Sequence, residues 1–328
     1  MNRIIALDFL KFFAALMITN SHLGDLYGKY SILATGGAIG DSLFFYCSGF
    51  ALSLSRFDRF DNWYKRRFFR VFPSIVSKNI IALIFGNILL YNSVKQIFNG
   101  RGWFFSSIMI FYVLLYLLQK FCSRFIWLVW GSILGVIFLL SSYFVTTREA
   151  VYSSGSYFAW SIYFTIMLFG YLCGKMNQQS YAWSCIKSLC LLCVSILLYY
   201  GFLMMCDKML WPLYVRIISI LPLYGIVYSF FKMCQSTQFK SIANCKLGIC
   251  MFFIANLCWE IYLAQLYIVL PHSEWINSHI VFPLNIPFTF VLILLVAYLI
   301  KLLSLFIVQL MNKNNFDWKS ILSVEMKW

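Results

Sequence analysis

Apolar residues in this chain run in long blocks rather than alternating. The blocks cover roughly 4–23, 34–54, 72–91, 103–119, 125–145, 157–174, 183–204, 211–231, 249–270 and 286–309, and short polar connections join them. The hydrocarbon core of a bilayer takes about 20 helical residues to cross. Backbone N–H and C=O groups there must be bonded internally, which favours helices. The pattern therefore predicts an all-α membrane protein, a polytopic bundle of about ten transmembrane helices. No connection is long enough to hold an inserted soluble domain. The expected division is a transmembrane domain over 1–310 and a short cytoplasmic tail over 311–328, where Asn312, Lys313, Asn314, Asn315, Asp317 and Lys319 cluster. Asp8 and Lys11 interrupt the first block and no small-x-small cleavage site follows it. It reads as a retained first span, not a signal peptide.

Composition sharpens the picture. Hydrophobic residues make up 62% of the chain and charged ones only 11%. Soluble domains carry about 25% charge, so so few charges would not cover a water-facing surface. The net charge is +15, but the basic residues lie between apolar blocks and not on one soluble module. That argues against nucleic acid as a partner and for the retention of Lys and Arg on the cytoplasmic side. With the N-terminus inside, most of the 26 Lys and Arg fall inside, including Arg56, Arg59, Lys65, Arg66, Arg67, Arg70, Lys232, Lys240, Lys246 and Lys301. The outer connections keep Lys29, Lys95, Arg101, Arg148 and Lys208. The expected orientation is N-in and C-in. Eleven cysteines, odd in number and scattered through apolar runs, do not form a disulfide framework. Cys190 and Cys193 form a C-x-x-C within a span and read as small packing residues, so no metal site is expected.

The first block carries a polar stripe of Asp8, Lys11, Asn20, Ser21 and His22. Each charge at a bilayer centre costs about 2.5–3.5 kcal/mol on insertion scales, so such residues mark a functional interior. At 100° per residue, Lys11 and His22 differ by about 20° around the helix and lie about 16 Å apart along it. Asp8 sits three residues before Lys11, close enough to pair with it. That pair alone also fits simple neutralisation, with Lys11 snorkelling. Imidazole titrates near neutrality, so His22 suits a general base or a proton-handling group. Before the third block, Arg66, Arg67 and Arg70 share a helical face. Guanidinium forks suit phosphate, so the cluster reads either as a phosphate clamp or as an anchor to anionic lipid.

Four segments together resemble acyltransferase family 3, the integral-membrane O-acyltransferases of bacterial surface glycans and lipids. They are Arg3-x-x-Ala6-Leu7-Asp8-x-Leu10-Lys11 ending at Ser21-His22; Gly36-Gly37-Ala38-Ile39-Gly40 with Leu43-Phe44-Phe45-Tyr46-Cys47-Ser48-Gly49-Phe50; Arg67-Phe68-Phe69-Arg70-Val71-Phe72-Pro73; and Gly102-Trp103-Phe104 with Tyr112 and, later, Glu260-Ile261-Tyr262-Leu263. Two positions depart from the family pattern: Lys11 stands where Arg is frequent, and Gln265 where the late motif often has His. The resemblance implies a multi-pass protein of the bacterial cytoplasmic (inner) membrane. It implies transfer of an acyl group, acetyl by preference, from acyl-CoA to a hydroxyl of a glycan or lipid-linked sugar. Acetyl-CoA would be a co-substrate, with no permanently bound cofactor. His22 would be the catalytic base, or take the acyl group covalently. Lys11 would lie along the donor's path, and Glu260 would orient the imidazole or position the acceptor. Arg67, Arg70 and Arg66 would hold coenzyme A. The competing class is a proton-coupled transporter or flippase of glycan or lipid intermediates, since intramembrane Asp, Lys and His also serve proton relays.

Overall fold

A computed structural model describes residues 4–84, 102–145, 151–152, 156–176, 183–208 and 211–311. These residues are helical throughout their ordered elements, with no β-strand among them. The α-helices are α1 (Ile5–Ser21), α2 (Gly24–Tyr27), α3 (Gly37–Ser53), α4 (Phe60–Ile84), α5 (Trp103–Phe121), α6 (Ile126–Phe144), α7 (Tyr157–Met176), α8 (Cys185–Lys208), α9 (Ile220–Cys234), α10 (Thr237–Ala243), α11 (Lys246–Asn256), α12 (Cys258–Ala264), α13 (Ser273–His279) and α14 (Asn285–Met311). Arg3, Lys95, Arg101, Arg148 and the expected tail over 312–328 lie outside the described residues.

Small residues decide which helices sit at the centre. Apolar side chains gain little from meeting each other in lipid, so close backbone packing drives association there. A Cβ on Gly40 would press on the Ile18 side chain and the Ala14 carbonyl, so α3 lies directly against α1. A Cβ on Gly49 would overlap the Met167 carbonyl, and one on Gly170 the Tyr46 carbonyl. α3 and α7 therefore touch backbone to backbone. Gly36, at φ 98°, turns the chain into α3 through the left-handed region, where glycine is at ease. α1 also packs on α9, α11 and α12, and α14 packs on α4 and α12.

Among the described residues, six helical runs are long and apolar enough to cross a membrane: α5, α6, α7, α8, Tyr214–Cys234 and α14. A seventh arises if Lys246–Asn256 and Cys258–His279, bent by 59° at Leu257, count as one span. α1 and α3 are helical where spans were expected, but each has only 17 residues. α4 has 25 residues and opens on its basic stretch. Length and apolarity alone thus give six or seven spans, fewer than the blocks predict.

Two expectations are corrected. The block 249–270, read as one straight span, breaks at Leu257, whose ψ of 4° is far from a helical value. After α12 it passes through a π-turn at Gln265–Val269, and the expected connection after 270 is itself helical as α13. Lys301, counted with the inside connections, lies within α14.

Candidate active site

α1 carries the polar stripe as one unbroken helix. Asp8 is buried and Lys11 half-buried, and Lys11 Nζ stands 3.6 Å from Asp8 Oδ1. His22 is the first residue beyond the helix; its backbone N–H donates to the Thr19 carbonyl, the Leu23 N–H donates to the Asn20 carbonyl, and the His22 side chain is exposed. No hydrogen bond holds its ring among the described residues. The helix thus runs from a buried ion pair to an imidazole open to its surroundings. Asn20, two residues before His22 in the stripe, is occupied elsewhere. Its Nδ2 donates to the Leu33 and Thr35 carbonyls at 2.8 and 3.0 Å, and its Oδ1 accepts from Tyr27 Oη at 2.8 Å. These bonds fasten the segment after His22 onto the end of α1.

The three arginines of α4 share a helix, but their heads diverge. Arg67 is buried. Its Nη1 donates to the Trp63 carbonyl at 2.8 Å and its Nη2 to Ser55 Oγ at 2.7 Å, and the guanidinium lies 4.1 Å over the Trp63 ring. Burial, and then repulsion from Arg66, lower its pKa to about 10, so it remains a cation at neutral pH. Arg66 is exposed and donates to Asp58 Oδ2 at 2.8 Å. Arg70 is exposed at the same end. Arg67 is thus a packed post, with Arg66 and Arg70 on the outside of the helix around it.

Glu260 does not meet His22. It is 2% exposed, and its Oε1 accepts from Ser74 Oγ at 2.8 Å and from Lys301 Nζ at 3.1 Å. The carboxylate ties α4, α12 and α14 together. Its pairing gives a physical reason why a charge is retained in this interior: a buried carboxylate persists when it is paired and hydrogen-bonded.

The model of the family-3 acyltransferase domain matches residues 4–302, nearly the whole chain. The chain belongs to acyltransferase family 3. Among curated proteins and solved structures, none matches it. Family membership makes this a membrane acyltransferase, with an acyl donor and an acceptor as its substrates. The segments that carry the resemblance have distinct places in this family-3 chain. The glycines from Gly36 to Gly49 seat α3 against α1 and α7, and Ser48 Oγ turns back on the Phe44 carbonyl at 3.0 Å. They hold α1 in position.

Several interior polar groups escaped sequence reasoning. Ser74 and Lys301 are the partners of Glu260, at separations of 186 and 41 residues that no local pattern encodes. Lys78 is 2% exposed, with Nζ 3.9 Å over the Tyr267 ring. Its only sequence signal was a lysine inside an apolar block. Gln265 is fully buried, and both of its side-chain polar atoms lack a partner among the described residues. Cys190 and Cys193 are exposed on α8. No group of His, Cys, Asp and Glu suited to a metal occurs among the described residues.

Proposed function

We propose that this family-3 protein transfers an acetyl group from acetyl-CoA, supplied from the cytoplasm, to a hydroxyl of an extracytoplasmic or lipid-linked glycan. His22 serves as the general base. The observation that carries the reading is the exposed His22 at the end of the α1 polar stripe, in a chain matched by the family over residues 4–302. In the step, an imidazole nitrogen takes the acceptor hydroxyl proton as the oxygen attacks the thioester carbonyl. The carbon–sulfur bond then breaks, and the coenzyme A sulfur leaves and is protonated. Lys11, about 16 Å along the same face, lies beside the path of a long, thin donor arm.

The donor's phosphates are bound at the Arg66–Arg70 end of α4, where Arg70 and Arg66 are exposed around the fixed Arg67. Glu260 acts at a distance, by holding α12 to α4 and α14. The proposed topology counts α1, α3, α4 and the bent pair as spans, giving about ten with both termini inside, in a bacterial cytoplasmic membrane.

The direct test uses His22→Ala and His22→Gln in membranes supplied with labelled acetyl-CoA and the cells' own glycan. A general base contributes about 10²–10⁴-fold. Transfer should fall by that factor, while the amount of protein inserted in the membrane stays the same. Normal transfer by either variant would overturn the assignment.

A further inference from the structure

At the His22 end of the bundle the protein has an open cleft of about 500 Å³. Two segments distant in sequence form it: residues 25–30 after α1, and residues 277–285 around the start of α14. Side-chain amides stitch them together. Asn277 Nδ2 donates to the Asp25 carbonyl at 3.0 Å, and Asn285 Nδ2 donates to the Leu26 carbonyl and to Asn277 Oδ1, both at 2.8 Å. The cleft is therefore a built feature. Asp25 follows His22 by three residues, a reach of at most about 10 Å of extended chain.

The lining has a definite chemistry. Tyr30 and Phe282 stack with ring centroids 5.1 Å apart, and Tyr30 is 43% exposed. Asp25 and Lys29 bring opposite charges, which leave the cleft near neutral. Asn285 is 1% exposed, and its Oδ1 is buried without a hydrogen-bond partner among the described residues. A buried acceptor in that state favours a ligand that brings an O–H or N–H donor.

We propose that this cleft is the acceptor subsite and takes an uncharged pyranose unit of a glycan; the word acceptor rests on the transferase reading above. A pyranose has an apolar C–H face to lay on Tyr30 and Phe282, and a ring of hydroxyls. One hydroxyl donates to Asn285 Oδ1, and another accepts the second amide hydrogen of Asn277. A phosphorylated or sulfated group would meet both Lys29 and the Asp25 carboxylate and so gain no net attraction, and an acyl chain would leave both amides unanswered. The volume falls in the usual range of about 300–1,000 Å³ for small-molecule sites.

The test uses the full chain purified in detergent. The probe is the oligosaccharide mixture that mild acid releases from the surface polysaccharide of cells carrying the gene. Two readouts are taken: saturation-transfer NMR of the oligosaccharides on the protein, and transfer of labelled acetyl from acetyl-CoA to them. In Tyr30→Ala/Phe282→Ala the NMR response should vanish and the oligosaccharide KM should rise about tenfold. The acetyl-CoA KM should stay unchanged, and Tyr30→Phe should behave as wild type. An NMR response equal in wild type and the double variant overturns the cleft assignment, whether or not transfer occurs. Loss of the response without any His22-dependent transfer supports the cleft as a glycan site and overturns the transferase reading alone.

Discussion

Arg67 and Arg70 sit three residues apart, yet their substitution should produce different defects. Arg67 spends its guanidinium on the Trp63 carbonyl, Ser55 and the Trp63 ring. Charged hydrogen bonds of this kind are worth about 1.5–3 kcal/mol each. Arg67→Ala should therefore lower the thermal midpoint in detergent by several degrees, and Arg67→Lys, which cannot reproduce the fork, should recover only part of it. Arg70 is exposed. Arg70→Ala should raise the KM for acetyl-CoA about tenfold, with the acceptor KM unchanged. Equal losses on both substrates would assign Arg70 to folding or topology. Glu260 makes a third case. Removing one member of a buried ion pair costs about 3–5 kcal/mol, because the other charge is left uncompensated. Lys301→Met should be strongly destabilising, and Lys301→Met/Glu260→Gln should regain much of the loss. Unfolding curves of the two variants in the same detergent decide it; identical stability would mean that the pair does not hold α12 to α14.

Elements show what a sequence pattern can and cannot encode here. The Asp8–Lys11 contact was legible because both residues lie on one helix, three positions apart. The surroundings of Glu260 were not, since Ser74 and Lys301 arrive from other helices and only packing brings them in. The break at Leu257 was equally hidden: between Gly248 and Pro271 the sequence holds no glycine or proline to announce it. The glycines of α3 were legible as a motif but not as to what they touch. That pairing leads to a sharp expectation. Gly49→Val or Gly170→Val forces a side chain onto a facing carbonyl. Overpacking of this kind costs about 1–3 kcal/mol or more, so the folded yield after detergent extraction should fall. Gly131→Val on α6, where nothing stands within 4 Å of the added Cβ, should extract like wild type.

At the scale of the whole molecule, the apolar blocks were enough to identify a helical membrane protein, and four motifs were enough to identify the family. The number of crossings is where the two descriptions part. Among the described residues six runs qualify by themselves, and the proposed count of about ten adds α1, α3, α4 and the bent pair. The native cysteines offer a topology test without engineering. Cys245 is exposed in the connection between α10 and α11, and Cys122 is half-buried just after α5. With the N-terminus inside and about ten crossings, both thiols face the cytoplasm. A membrane-impermeant maleimide should miss them in intact cells and reach Cys245 after lysis. Labelling of Cys245 in intact cells would reverse the proposed orientation.

The backbone contact between α3 and α7 also restricts traffic through the protein. Where Gly49 and Gly170 press main chain against main chain, not even a methyl group fits, still less a pantetheine arm. That seam is a blank wall. On the proposed reading, a donor held at the arginine end reaches His22 by a route that does not cross this seam.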